Sequence, residues 1–246
     1  MSVSFKESLK STLRETLIRL NIDLTKNLKY DRLTRKILQA YLKPDYNCVD
    51  VGCHKGEIMD LCLTYAPKGK HIGFEPIPYL YQGLCERFES KAKILPYALA
   101  EANGTSSFQW VKNAPAYSGL KRRRYDIENP EIEEIQVELR TLNEVVGPER
   151  IDFLKIDVEG GELGVLKGGL EKLKQDKPLI LFEFGKGASD FYKTRPEDIF
   201  NLLCHEIGLR IYNLKSYANG GGISLEINEF KSCFDEGTEY YFVAAP

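Results

Sequence analysis

Apolar positions along the chain follow two different periods. Phe5, Leu9, Leu13, Leu17 and Leu20 recur at helical spacing, with Lys, Arg and Glu between them. Leu33, Ile37, Leu38, Tyr41 and Leu42 form a second stripe, which Pro44 closes. These stripes predict a helical extension over residues 1–44, packed on the edge of a core that begins near residue 45. A cap over a functional site and an oligomer contact are the alternative roles. From Asn47 onward, short apolar runs alternate with amphipathic stretches. Strands are predicted at Cys48–Val51, His71–Phe74, Ile94–Tyr97, Phe153–Ile156 and Leu179–Phe182, and helices at Gly56–Tyr65, Tyr79–Ser90, Glu162–Leu173 and Pro196–Ile207. Strand-helix alternation needs crossover connections and therefore a mostly parallel sheet, with all strand carboxyl ends on one edge.

The alternation breaks between Ala100 and Val146. Thr105–Val111 and Ile135–Arg140 read as an inserted antiparallel pair, joined by a polar loop from Lys112 to Glu134. Glu239 to Ala245, aromatic and small apolar, suits a last buried strand. With no internal repeat and no low-complexity linker, residues 45–246 read as one α/β domain.

Chemistry concentrates where predicted strands stop. Asp152 to Glu162 reads DFLKIDVEGGE, so Asp157 and Glu159 follow a four-residue apolar strand and precede a helix. Ligands bind at that end of an open α/β sheet, and unpaired carboxylates rarely help a core. At the first strand end, Val49 to Gly56 reads VDVGCHKG. Gly52 and Gly56 allow a sharp turn and close approach of a ligand, Asp50 faces the same crevice, and the following helix offers free N–H groups. The second strand ends in GFEP, with Glu75 23 residues after Gly52. An acid there accepts bonds from ribose hydroxyls. A dinucleotide fold wants G-x-G-x-x-G. Here the spacing is G-x-x-x-G, and Asp50 would lie against a pyrophosphate. S-adenosylmethionine (SAM) has no phosphate. Its ammonium suits Asp50 and its carboxylate suits the helix N-terminus, so electrostatics favour SAM over NAD.

VDVGCHKG, then GFEP, then ALA at Ala98–Ala100, then DFLKIDVEGGE resemble the FkbM family of SAM-dependent methyltransferases over roughly Asn47 to Glu183. The resemblance implies a Rossmann-like class I methyltransferase sheet of seven strands, mostly parallel with the last antiparallel. It implies SAM contacts from Asp50, Gly52, Gly56 and Glu75. Pro76, Ala98, Leu99, His54 and Asp157 join them on the same matching segments. His54-Lys55 departs from the small or amide residues common in the family. The implied acceptor is a hydroxyl on a sugar, glycan or polyketide-like natural product.

Methyl transfer to oxygen needs alignment of the reactants and a base for the hydroxyl proton. Asp157, Glu159 and Glu183, at the ends of adjacent predicted strands, are the candidates. Asp157 could instead bind the cofactor's ammonium, and Glu159 could cap the next helix, as Glu162 is expected to do. Lys155 is expected to pair with an acid, and His54 has a structural reading beside its binding one. The site is read without a metal, although the three carboxylates could hold magnesium. Lys121, Arg122, Arg123 and Arg124, with Tyr117 and Tyr125 nearby, could recognise an anionic substrate group or a sugar; the alternative is a solvated face. Two other functions stay open. One is a nucleotide-binding oxidoreductase or epimerase, which lacks G-x-G-x-x-G and a helical Tyr-x-x-x-Lys pair. The other is a non-catalytic SAM-binding module.

Bulk properties narrow the setting. Hydrophobic residues make up 43% and charged residues 28% of 246 positions, and the net charge is -2. No global field draws the chain to nucleic acid. No apolar run is long enough to span a bilayer, and MSVSFKESLKSTLRETL lacks a signal-peptide h-region. The six cysteines include no C-x-x-C, and the three histidines are scattered. A cytoplasmic protein with reduced thiols and no zinc site is expected.

Overall fold

The computed structural model describes residues 25–246. The stripe from Phe5 to Leu20 lies outside the described residues. The second stripe forms α1 (Lys26–Tyr41), whose N-cap Thr25 accepts a bond from the Leu28 N–H at 3.2 Å. The core then runs β1 (Cys48–Val51), α2 (Glu57–Tyr65), β2 (Ile72–Phe74), α3 (Pro78–Arg87) and β3 (Lys93–Leu95). It continues through β4 (Tyr97–Leu99), β5 (Gly104–Val111), β6 (Ile132–Arg140), α4 (Leu142–Val146), β7 (Phe153–Ile156) and α5 (Glu162–Gly168). The last part comprises α6 (Leu170–Asp176), β8 (Leu179–Glu183), α7 (Pro196–Phe200), β9 (Arg210–Asn213), α8 (Leu214–Ala218), α9 (Ile227–Glu236) and β10 (Tyr241–Ala245).

Seven strands form the main sheet in the order β3-β2-β1-β7-β8-β10-β9, with β10 antiparallel to both neighbours. The order reverses between β1 and β7, which opens a crevice at their carboxyl ends. Alternate residues feed two cores. Val49, Leu154, Ile156, Ile180, Phe182 and Phe242 pack under α4 to α7 and α9. Cys48, Phe153, Leu179, Leu181 and Val243 pack under α1, α2 and α8 with Tyr30, Leu33, Ile37, Leu38, Cys62 and Leu214. The second stripe thus forms part of a helical layer.

Several boundaries differ from the pattern-based reading. The predicted strand Ile94–Tyr97 is two strands: Pro96 interrupts the ladder, and the chain passes from β3 in the main sheet to β4 in a second one. That second sheet, ordered β4-β6-β5, contains the expected antiparallel pair, with Thr105 opposite Glu138 and Phe108 opposite Ile135. Helix Glu162–Leu173 breaks at Gly168-Gly169, and the stretch after α7 winds as a π-helical segment, Asn201–Ile207. Strand β9, helix α8 and the ten-residue α9 are not among the predicted elements.

Gly168 lies where α5 crosses the chain after β4. A Cβ there would meet the Ala100 carbonyl oxygen at 2.1 Å, whereas Gly83 on exposed α3 has nothing within 4 Å. Gly168→Ala is therefore expected to cost about 2 kcal/mol or more in urea unfolding through overpacking. Gly83→Ala is expected to gain about 0.5–1 kcal/mol from helix propensity. Equal effects of the two substitutions would contradict this packing.

Candidate active site

The carboxyl ends of the parallel strands, α1 and the loop of the second sheet enclose, among the described residues, a cleft of ≈ 1680 Å³. A single small ligand needs roughly 300–1,000 Å³, so a cofactor and an acceptor both have room.

One wall comes from β1 and β2. Gly52, at φ +77, lies so close to β7 that a Cβ would sit 1.9 Å from the Asp157 carbonyl oxygen. Its lack of a side chain therefore serves strand packing as well as the turn. Gly56 N-caps α2 and packs against Phe88, off the cleft wall. Glu75 lines the cleft, and its oxygens accept bonds from the His54 N–H at 2.8 Å and the Ile77 N–H at 2.9 Å. Burial pushes its carboxyl up to about 7 against the pull of those two donors. His54 also lines the cleft. Burial lowers its pKa, favouring the neutral imidazole, and its Nε2 has no hydrogen-bond partner. Pro76, Ala98 and Leu99 complete this side.

Asp50 does not face the crevice. It is 1% exposed, absent from the cleft wall, and neither carboxylate oxygen has a hydrogen-bond partner. The register explains this position. Asp50 is paired with Lys155 across β1 and β7, on the face covered by α2. Lys155 Nζ donates to the Gly52 carbonyl oxygen at 2.6 Å and lies 3.5 Å from Asp50 Oδ1 and 3.6 Å from Asp157 Oδ2. Lys155 pairs with two acids, so the carboxylate that reaches the cleft is Asp157. Burial raises the Lys155-paired Asp50 carboxyl above its usual range, with the ammonium pulling back. Lys155 stays charged, because the two carboxylates outweigh its own burial.

The opposite wall gathers the predicted acids. One oxygen each of Asp157, Glu159 and Glu183 fall within 4.8 Å of one another. Burial raises Asp157, but Lys155, Glu183 and the Tyr241 hydroxyl, which donates to Asp157 Oδ2, outweigh it and hold the carboxylate ionised. Glu183 goes the other way: burial and the neighbouring Asp157 charge raise it well above the usual range. Glu159 sits at φ +58 and pairs with the Arg123 guanidinium, which also lies over the Tyr117 ring at 5.1 Å. Gly160, at φ +104, accommodates Ala188, whose backbone would lie 2.7 Å from a Cβ. Glu162 sits in the first turn of α5 but does not cap it: its carboxylate accepts from the Val158 and Gly160 N–H groups of the preceding loop, and burial pushes it up to about 7.

The basic run is not a single patch. Arg123 turns inward to Glu159, Arg122 donates to Gln109, Arg124 pairs with exposed Asp126, and Lys121 lies over Tyr192. Tyr117 lines the cleft and Tyr125 does not. Arg123 as partner of Glu159, and Tyr241 as partner of Asp157, were not legible from sequence. The first needs the inserted loop to fold back, and the second needs the β8–β10 register.

The family model for the methyltransferase FkbM domain matches residues 50–211. The chain belongs to the FkbM methyltransferase family. Methyltransferase sdnD of Sordaria araneosa is 31% identical over 152 residues, covering 49% of this chain and 59% of that relative. The 2-O-methyltransferase NoeI of Sinorhizobium fredii is 26% identical over 192 residues, covering 70% of this chain and 77% of NoeI. The crystal structure of methyltransferase FkbM from Methylobacillus flagellatus shares the fold, with a TM-score of 0.51 and 15% identity over 82% of this chain and 44% of that one. The chain thus spans less than two thirds of the length of sdnD and of the crystallised FkbM protein. Among the described residues no helix is long and apolar enough to cross a membrane.

An FkbM domain implies SAM as methyl donor, and this cleft fits it chemically. Glu75 is held by two N–H groups for diol recognition, the positive dipole end of α2 lies beside the cleft for a carboxylate, and Asp157 stands ionised on the opposite wall. The unpartnered His54 Nε2 offers one more polar contact on the same wall. The three-carboxylate group has the spacing for a divalent ion. However, Lys155 and Arg123 already pair with Asp157 and Glu159, while Glu183 leans to its neutral form.

Lys155→Met is expected to lower stability by about 3–5 kcal/mol, because it strands Asp50 and Asp157 without their cation. Adding Asp50→Asn should return part of that loss. Strictly additive unfolding energies in the double mutant would refute the pairing.

Proposed function

We propose that this chain is a SAM-dependent O-methyltransferase acting on a hydroxyl of a sugar, glycan or polyketide-like natural product. The observation that carries the reading is the meeting, across one cleft, of the Glu75 wall with the Asp157–Glu183 pair. NoeI, named a 2-O-methyltransferase, supports oxygen as the acceptor. Bound SAM would supply a methyl group on a sulfonium, which loses positive charge as transfer proceeds. Glu75 would hold the ribose end, Pro76, Ala98 and Leu99 would flank the base, and the α2 N-terminus and His54 would hold the methionine end. Glu159 and Arg123 shape the acceptor side.

The acceptor's proton goes to Asp157. Of the three acids it alone is both ionised and free of a guanidinium partner. Glu183, protonated beside it, hydrogen-bonds the carboxylate and spreads the proton over the pair. Glu159, neutralised by Arg123, positions rather than abstracts.

Calorimetry should show SAM and S-adenosylhomocysteine binding with no binding of NAD, and NAD binding alone would overturn the reading. With labelled SAM and a panel of glycans and small alcohols, mass spectrometry should detect the gain of one methyl. Asp157→Asn should then lower kcat by about 100-fold or more, and Glu159→Gln by less. Because Asp157 and Glu159 already pair with cations within the chain, EDTA should leave the rate unchanged. Loss of activity restored by magnesium would assign the acids to a metal instead.

A further inference from the structure

We infer that Tyr241 is a positioning residue for methyl transfer, its hydroxyl orienting the Asp157 carboxylate towards the acceptor. The inference rests on Asp157 as the base. Three adjacent strands put the groups in one row. Tyr241 opens β10 directly opposite Glu183 at the end of β8, and Asp157 follows Ile156, which is paired with Phe182 on β8. Tyr241 O–H donates to Asp157 Oδ2. Tyr241, Asp157 and Glu183 all line the cleft.

The contact has a reason to be there. A carboxylate on a strand end rotates freely about its last bond unless a donor engages one oxygen. Lys155 lies 3.6 Å from Asp157 Oδ2 and is pulled to Gly52 at 2.6 Å, so it supplies charge with little direction. The Tyr241 hydroxyl supplies direction. Its ring is fixed by α1 and β10, with Tyr30 at 5.4 Å and Tyr240 at 6.0 Å between ring centres. Tyr30 is in turn tied to Glu239, and Lys29 to the same acid at 3.0 Å. The N-terminal helix therefore reaches the reacting carboxylate through two tyrosines. The titratable and charged groups facing Asp157 are Lys155 on its own strand, Glu159 with its partner Arg123 from the inserted loop, Asp50 on β1, His54 in the turn after β1, Glu183 on β8, Tyr241 on β10 and Glu162 on α5. Of these, Tyr241 and Glu183 are the neutral donors, and Tyr241 is the one whose hydroxyl engages Asp157 Oδ2.

The test is Tyr241→Phe, which keeps the ring and removes the hydroxyl. Asp157 is followed by carboxyl 13C NMR in aspartate-labelled full-length protein, its signal assigned with Asp157→Asn. The titration midpoint should rise, because a donor to the charged form has been lost. With an acceptor found by labelled SAM, kcat should fall by about tenfold, while the acceptor KM and the SAM Kd change less than twofold. Thermal melting monitors folding. An unchanged Asp157 titration overturns the inference, as does unchanged kcat, or a loss confined to KM. If Asp157→Asn keeps full activity, the base assignment itself fails. If Asp157→Asn is inactive and Tyr241→Phe behaves like the parent, only the role of Tyr241 fails.

Discussion

The buried ammonium of Lys155 holds the centre of this protein together. It sits between β1 and β7, where strand order reverses, and joins the Gly52 carbonyl to the carboxylates of Asp50 and Asp157. A charge so deep is costly unless paired and hydrogen-bonded. Here the pairing also sets the electrostatics of the cleft: Asp157 stays ionised beside a cation, while the neighbouring acid Glu183 drifts toward neutrality. Two like groups 4.8 Å or less apart thereby divide into a charged acceptor and a neutral donor.

Around that centre the cleft is closed by pieces the minimal sheet lacks. The second sheet carries the loop whose Arg123 meets Glu159, and Tyr117 supports the guanidinium. Helix α1 hooks onto the turn before β10 through Lys26 on the Gly237 and Thr238 carbonyls and Lys29 on Glu239. Both additions line the cleft, and relatives sharing the fold are free to differ there. The wall that carries Gly52, His54 and Glu75 is built from consecutive turns of the core.

How much was legible in the residues follows from the range of each interaction. DFLKIDVEGGE announced a strand, two acids and a turn because strand propensity, carboxylates and glycines act within a few positions. The same holds for Glu75 after its strand. Asp50 was misplaced: a strand-end acid was read as facing the crevice, whereas its parity with Cys48 points it under α2 toward Lys155. Pro96 was read as part of one strand, yet it marks the passage between two sheets, which is set by where β6 lies.

The sequence by itself determined the parallel core, the glycine turn, the acids at the strand ends and the FkbM resemblance. Each of these depends on periodicity or on residues adjacent in the chain. Only the tertiary structure decided which acid reaches the cleft and which partner each acid has. Asp50 with Lys155, Glu159 with Arg123 and Asp157 with Tyr241 join residues separated by dozens of positions. Strand register and loop return bring such pairs together, and neither is written in local pattern.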